Sequence, residues 1–117
     1  MLVISAHQYN AIENGIAQNL TVKFLELLEE DYPAEMNKPV GFKWEKYIIS
    51  SIRYLREAGF EDNANYYFFV CLAVEYPELR NPNIPAWVND YAKNHSIPET
   101  LRLEQLEMRL QHDKKIV

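Results

Sequence analysis

Asn63-Ala64-Asn65-Tyr66-Tyr67-Phe68-Phe69-Val70-Cys71-Leu72-Ala73-Val74-Glu75-Tyr76-Pro77 contains the longest apolar run of the chain. From Tyr66 to Val74 it is apolar on every side, a pattern that a buried helix and a buried strand share. The Asp62 or Asn63 start, the Pro77 stop and the lack of a second strand candidate decide for a helix over about residues 62–76, enclosed by the others. As a helix its nine apolar residues span roughly 14 Å against a hydrocarbon layer of ~30 Å, so it cannot cross a membrane.

On the N-terminal side of this segment lies a second helix. Trp44, Ile48, Ile52 and Leu55 share one face from about Lys43 to Ala58, with Tyr47 and Tyr54 beside it. Gly59 ends it as a left-handed cap, and Phe60 folds back on the last turn. Further upstream, Tyr9, Ile12, Ile16, Leu20, Phe24 and Leu27 recur at steps of three and four, which predicts one long helix from Ser5 to about Asp31. Ser5 and Gln8 form a capping box with Ile4 as a staple, and Pro33 stops the helix. On the C-terminal side, Pro85 opens a short helix carrying Trp87, Val88 and Tyr91 that frays near Asn94. Ser96 and Glu99 make a second capping box, and Leu103, Leu106 and Leu110 supply the stripe of a helix to about His112. The expectation is an all-α fold of five helices in one domain, 1–117, with residues 113–117 as a loose tail.

The 117 residues are 48% apolar and 25% charged, which removes disordered and collagen-like classes, and the single cysteine removes a disulfide scaffold. A net charge of −5 gives no basic footprint for nucleic acid and no attraction to anionic lipid. Met1 to Ser5 has four apolar residues and no positive flank, too little for a signal peptide, so the expected location is the cytoplasm.

Recognisable chemistry is sparse. Gly15, Gly41 and Gly59 lie 26 and 18 positions apart, too dispersed for a phosphate-cradling loop. His7, His95 and His112 have no histidine partner at helical metal-ligand spacing. Cys71 has neither cation nor histidine beside it and reads as a buried, inert thiol. Ser50 and Ser51 lie within a helix and lack the strained elbow that presents a catalytic serine. The expectation is therefore no catalytic residue, no cofactor and no metal.

Two features exceed what a stable fold requires. Glu26, Glu29, Glu30, Asp31 and Glu35 follow one another with no basic residue between Lys23 and Lys38. Glu26 and Glu30 repel across one turn, and the acids face the negative end of the helix dipole, so they read either as a solvated helix end or as a docking site for a basic partner. The second feature is the aromatic load of Trp44, Tyr47, Tyr54, Tyr66, Tyr67, Tyr76, Trp87 and Tyr91, residue types enriched at binding hot spots. About half can be buried, and Trp87 and Tyr91 are the partner-binding candidates among them.

The order of these signals also resembles a family. An Ile-Ser-x-x-Gln-Tyr start (Ile4 to Tyr9), a helix ending in Tyr32-Pro33, an Ile-rich helix ending in Ala58-Gly59-Phe60, an aromatic helix ending at Tyr76-Pro77, and Ile84-Pro85-Ala86-Trp87 together resemble small helical accessory proteins encoded beside type VI secretion effectors and their adaptor chaperones. Family members have Tyr-Gly-Phe and Pro-Trp where this chain has Ala58-Gly59-Phe60 and Pro85-Ala86-Trp87. The resemblance implies a non-enzymatic co-chaperone or adaptor that helps load or stabilise an effector. The alternatives are an immunity protein that neutralises a cognate toxin, for which the acid patch suits a basic nuclease, and a small acid/base enzyme with an aromatic-lined cleft.

Overall fold

The computed structural model describes residues 6–37, 42–80 and 84–116, with side chains over 19–37, 42–80 and 84–114. The protein is all-α: α1 Ala6–Asp31, α2 Pro33–Met36, α3 Trp44–Glu57, α4 Asn63–Glu75, a 3-10 turn Pro77–Arg80, α5 Ala86–Ala92 and α6 Glu99–Ile116, with no strand among the described residues. Five of these are the helices expected from the sequence. None of the described helices is long and apolar enough to cross a membrane. The chain gathers into two compact units, 1–49 and 50–117, and α3 runs through the boundary.

In the first unit α1 buries Thr21, Phe24 and Leu28, so its inner face at this end runs through Leu28 while Leu20 and Leu27 are half-buried. The Ser5–Gln8 box, the Ile4 staple and the side chains of Tyr9, Ile12 and Ile16 lie outside the described residues. Pro33 stops α1 as expected but also starts α2, because a proline at the first helical position lacks only an N–H that would be unpaired anyway. Phe42, Trp44 and Tyr47 cluster at the start of α3 with ring centroids 4.7 to 5.9 Å apart.

Ile52 and Leu55 of α3 are fully buried in the second unit. The end of α3 is closed as the sequence predicts. Gly59 sits at φ +92°, its N–H donates to Arg56 carbonyl at 3.0 Å, and the Phe60 N–H donates to Leu55 carbonyl at 2.9 Å. This pair of bonds uses up carbonyls that the helix leaves orphaned, and Phe60 and Leu55 are both buried.

Asp62 caps α4 as expected, its carboxylate accepting the Ala64 N–H at 2.9 Å. The helix buries Asn65, Tyr66, Phe69, Val70, Leu72, Ala73 and Val74, but Tyr67, Phe68 and Cys71 form a half-exposed stripe. Cys71 is thus not the enclosed thiol of the sequence reading. The Tyr66 hydroxyl donates to the Phe60 carbonyl, joining α4 to the turn before it.

The second capping box does not form. Ser96 instead donates through its N–H and its hydroxyl to the Asn94 side chain. Glu99 opens α6, and its carboxylate accepts the backbone N–H groups of Glu61 at 3.0 Å and Asp62 at 3.2 Å. An acid is thereby placed at the positive end of α4 by a residue 38 positions downstream. Leu103, Leu106 and Leu110 are fully buried, as their spacing predicts. α6 continues to Ile116, so of the residues expected as a loose tail 113–116 are helical, and Val117 lies outside the described residues.

Candidate functional site

The site grows from the end of α4. Pro77 halts the helix, and the following 3-10 turn buries Leu79 and brings Arg80 back to the helix end. Arg80 donates from Nε to Ala73 carbonyl at 2.8 Å and from Nη2 to Val74 carbonyl at 2.9 Å. A cation at carbonyls left without helical partners offsets the negative end of the helix. Pro85 then restarts the chain as α5, whose Val88 and Ala92 face inward. That choice leaves Trp87 and Tyr91, one turn apart, half-buried on a neighbouring face.

Trp87 and Tyr91 meet edge to face, with centroids 6.3 Å apart and planes at 87°. The Arg109 guanidinium of α6 lies over the Trp87 ring at 5.0 Å and binds Asp113 one turn on at 3.1 Å. Its hydrogen bonds to Tyr91 and Asp113, together with the Asp113 charge, raise the Arg109 pKa above its ordinary value. The indole is therefore contacted by both the Tyr91 ring and the Arg109 guanidinium.

Against this indole lies an open groove of about 630 Å³, entirely within the second unit. Tyr76, Pro77, Pro85 and Trp87 give it flat apolar walls, and Glu75, Glu78, Asp113 and Lys114 form its rim. The Lys114 ammonium sits 5.6 Å from the centre of the Tyr76 ring. Burial, followed by the charges of Glu75, Glu107 and Glu78, raises the Tyr76 pKa, against a hydrogen bond with Gln111 that lowers it. Asp113 is paired with Arg109, and the charges that act on the Tyr76 hydroxyl are those of Glu75, Glu107 and Glu78.

The other candidates fall elsewhere. Glu26, Glu29, Glu30 and Asp31 are exposed on the last two turns of α1, and Glu35 is half-buried on α2, all in the first unit. The last turn of α1 holds no basic residue. Of the eight tyrosines and tryptophans singled out, only Tyr66 and Tyr76 are buried, fewer than expected, and the other six are half-buried. His95 and His112 are exposed, and among the described residues no three of His, Cys, Asp and Glu converge as a metal site would require.

Sequence reasoning singled out Trp87 and Tyr91 as candidates and gave no sign of the groove beside Trp87. Tyr76-Pro77 and Pro85 read as helix punctuation, while Asp113 and Lys114 fell beyond the expected end of α6. Only the convergence of three helix ends shows them as neighbours. Comparison with protein-family models, curated proteins and solved structures finds no match for the chain, so the likeness to type VI accessory proteins rests on the caps and apolar positions quoted above.

Proposed function

We propose that this chain is a non-enzymatic protein-binding factor that docks its partner on the α5 face formed by Trp87 and Tyr91. The observation that carries this reading is the half-exposed Trp87 ring, contacted by Tyr91 and Arg109 at the wall of a groove. An aromatic side chain already held in one orientation loses little entropy on binding and has the character of a hot-spot residue. The resemblance supports the narrower role of a co-chaperone or adaptor for a type VI secretion effector.

Co-expression with the neighbouring adaptor chaperone or effector, followed by co-purification, tests that role directly. Failure to bind either, when both are folded, defeats it. Alanine at Trp87 should raise the off-rate of a bound partner by about thirtyfold, the roughly 2 kcal/mol of a hot spot.

The immunity reading draws on the exposed acids Glu26, Glu29 and Glu30 of α1. A basic toxin captured there would associate faster at low salt, and Glu29→Lys with Glu30→Lys would slow that association and flatten its salt dependence. Sensitivity to this pair without sensitivity to Trp87 favours immunity over the adaptor.

A further inference from the structure

We infer that the groove between Tyr76 and Trp87 receives an arginine or lysine side chain from an extended segment of the partner protein, a step that rests on the protein-binding reading and assigns the chemistry its site selects. The walls come first. Tyr76 and Trp87 line the groove with aromatic rings, and Pro77 and Pro85 add rigid apolar surface without backbone N–H donors. Such walls favour a flat or extended chain over a compact polar ligand.

The charge of the rim then selects among such chains. Glu75 and Glu78 line the groove with Lys114, Asp113 is paired with Arg109, and Glu75, Glu107 and Glu78 together set a negative field at the Tyr76 hydroxyl. An acidic or phosphorylated segment meets repulsion here, whereas a cation gains from both the carboxylates and the rings.

The molecule already displays this mode of recognition with its own residues. Lys114 sits over Tyr76 at 5.6 Å and Arg109 over Trp87 at 5.0 Å. Arg109 is tied to Asp113 and Tyr91 and does not itself line the groove. Lys114 is exposed and extends from the closing turns of α6, so it is an internal stand-in that an incoming guanidinium or ammonium displaces from the Tyr76 ring.

The test uses the full chain and two matched probes. One is the acetylated and amidated pentapeptide Gly-Arg-Pro-Arg-Gly; the other replaces each arginine by citrulline, which keeps the shape and loses the charge. The readout is the Trp87 indole N–H resonance, assigned with Trp87→Phe. The arginine peptide should shift this resonance to saturation, more tightly at low than at high salt, and the citrulline peptide should not. Glu75→Gln with Glu78→Gln should weaken the arginine peptide by about fivefold, and Lys114→Ala should tighten it by about threefold. Equal binding of the two peptides, no shift with either, or an unchanged or weaker affinity in Lys114→Ala overturns the inference. The wider reading is judged separately by the partner's response to Trp87→Ala. A partner lost by that change while the peptides stay silent sinks the cation groove alone, and a retained partner with a saturating arginine shift sinks the α5 docking face alone.

Discussion

Arg102 Nη1 donates to the carbonyl oxygen of Ala58 at 3.2 Å, from a side chain that is only 7% exposed. The same nitrogen reaches the Ala92 carbonyl at 3.3 Å, and Nε reaches the Ile97 carbonyl at 2.9 Å. Ala58 follows the last turn of α3 and Ala92 ends α5, so one guanidinium closes two helices at their negative ends. The Phe60 ring lies 5.2 Å from the guanidinium carbon. An arginine fits here because its planar fork supplies several donors in fixed directions.

Arg102→Met should lower the unfolding free energy by about 3 kcal/mol, because buried carbonyls lose their donors while the apolar stem is kept. Arg102→Lys should recover only part of the loss, since one ammonium cannot reproduce the fork. Urea denaturation followed by circular dichroism measures both. A loss below about 1 kcal/mol in the methionine variant would show that water replaces the guanidinium at little cost.

Gly59→Ala should destabilise by about 1–2 kcal/mol, since a φ of +92° is strained for any residue with a Cβ, and that Cβ would lie 3.3 Å from His95 Cε1. Gly59→Asn should cost less, because asparagine visits this region more readily. Adding His95→Ala should leave most of the alanine penalty in place. Full rescue would assign the cost to the histidine contact instead of the backbone.

The Tyr54 hydroxyl donates to Asn89 Oδ1 and is half-buried, and burial pushes its pKa up from 10.0 to about 12. The folded state therefore holds this proton more tightly than the unfolded chain. Its contribution is complete below pH 10 and is lost as the pH rises toward about 12. Tyr76 shifts in the same direction, so Tyr54→Phe should make the alkaline loss of stability shallower without abolishing it. Parallel pH profiles for the two proteins would contradict the shift.

Glu29→Lys combined with Glu30→Lys should raise stability by a few tenths of a kcal/mol, whatever it does to a partner. Both positions are exposed near the negative end of α1, and the second change removes the repulsion from Glu26. Thermal melting checks the sign. A fall in the melting temperature would mean that these acids make native contacts worth more than the dipole and repulsion terms.

The extent to which the fold was legible follows the range of the interactions that make it. Helix stops at Gly59 and Pro77, the Asp62 cap and the Ile52, Leu55 and Leu106 faces depend on residues within a turn or two, and each was readable. Glu99 was misread because its carboxylate serves Glu61 and Asp62 in preference to its own helix start, where Asn94 had taken Ser96. Arg102 drew no reading from the sequence, because only the meeting of helix ends makes it a buried donor. The groove was hidden for the same reason. Its lining comes from residues 75–78, Pro85, Trp87 and residues 113–114, whose proximity is a property of the packed unit and of no local pattern.

The placement of α6 has a consequence for the order of synthesis. α4, the most apolar helix, leaves the ribosome before α6, yet Leu103, Leu106 and Leu110 of α6 belong to the core of the same unit, and Glu99 completes the α4 start. At translation rates of about 5–20 residues per second, some 2–7 s separate the last residue of α4 from Leu110. During that interval Phe69, Leu72 and Val74 lack part of their native cover and are candidates for transient chaperone capture or aggregation, so expression yield should respond to the speed of translation across the segment between the two helices.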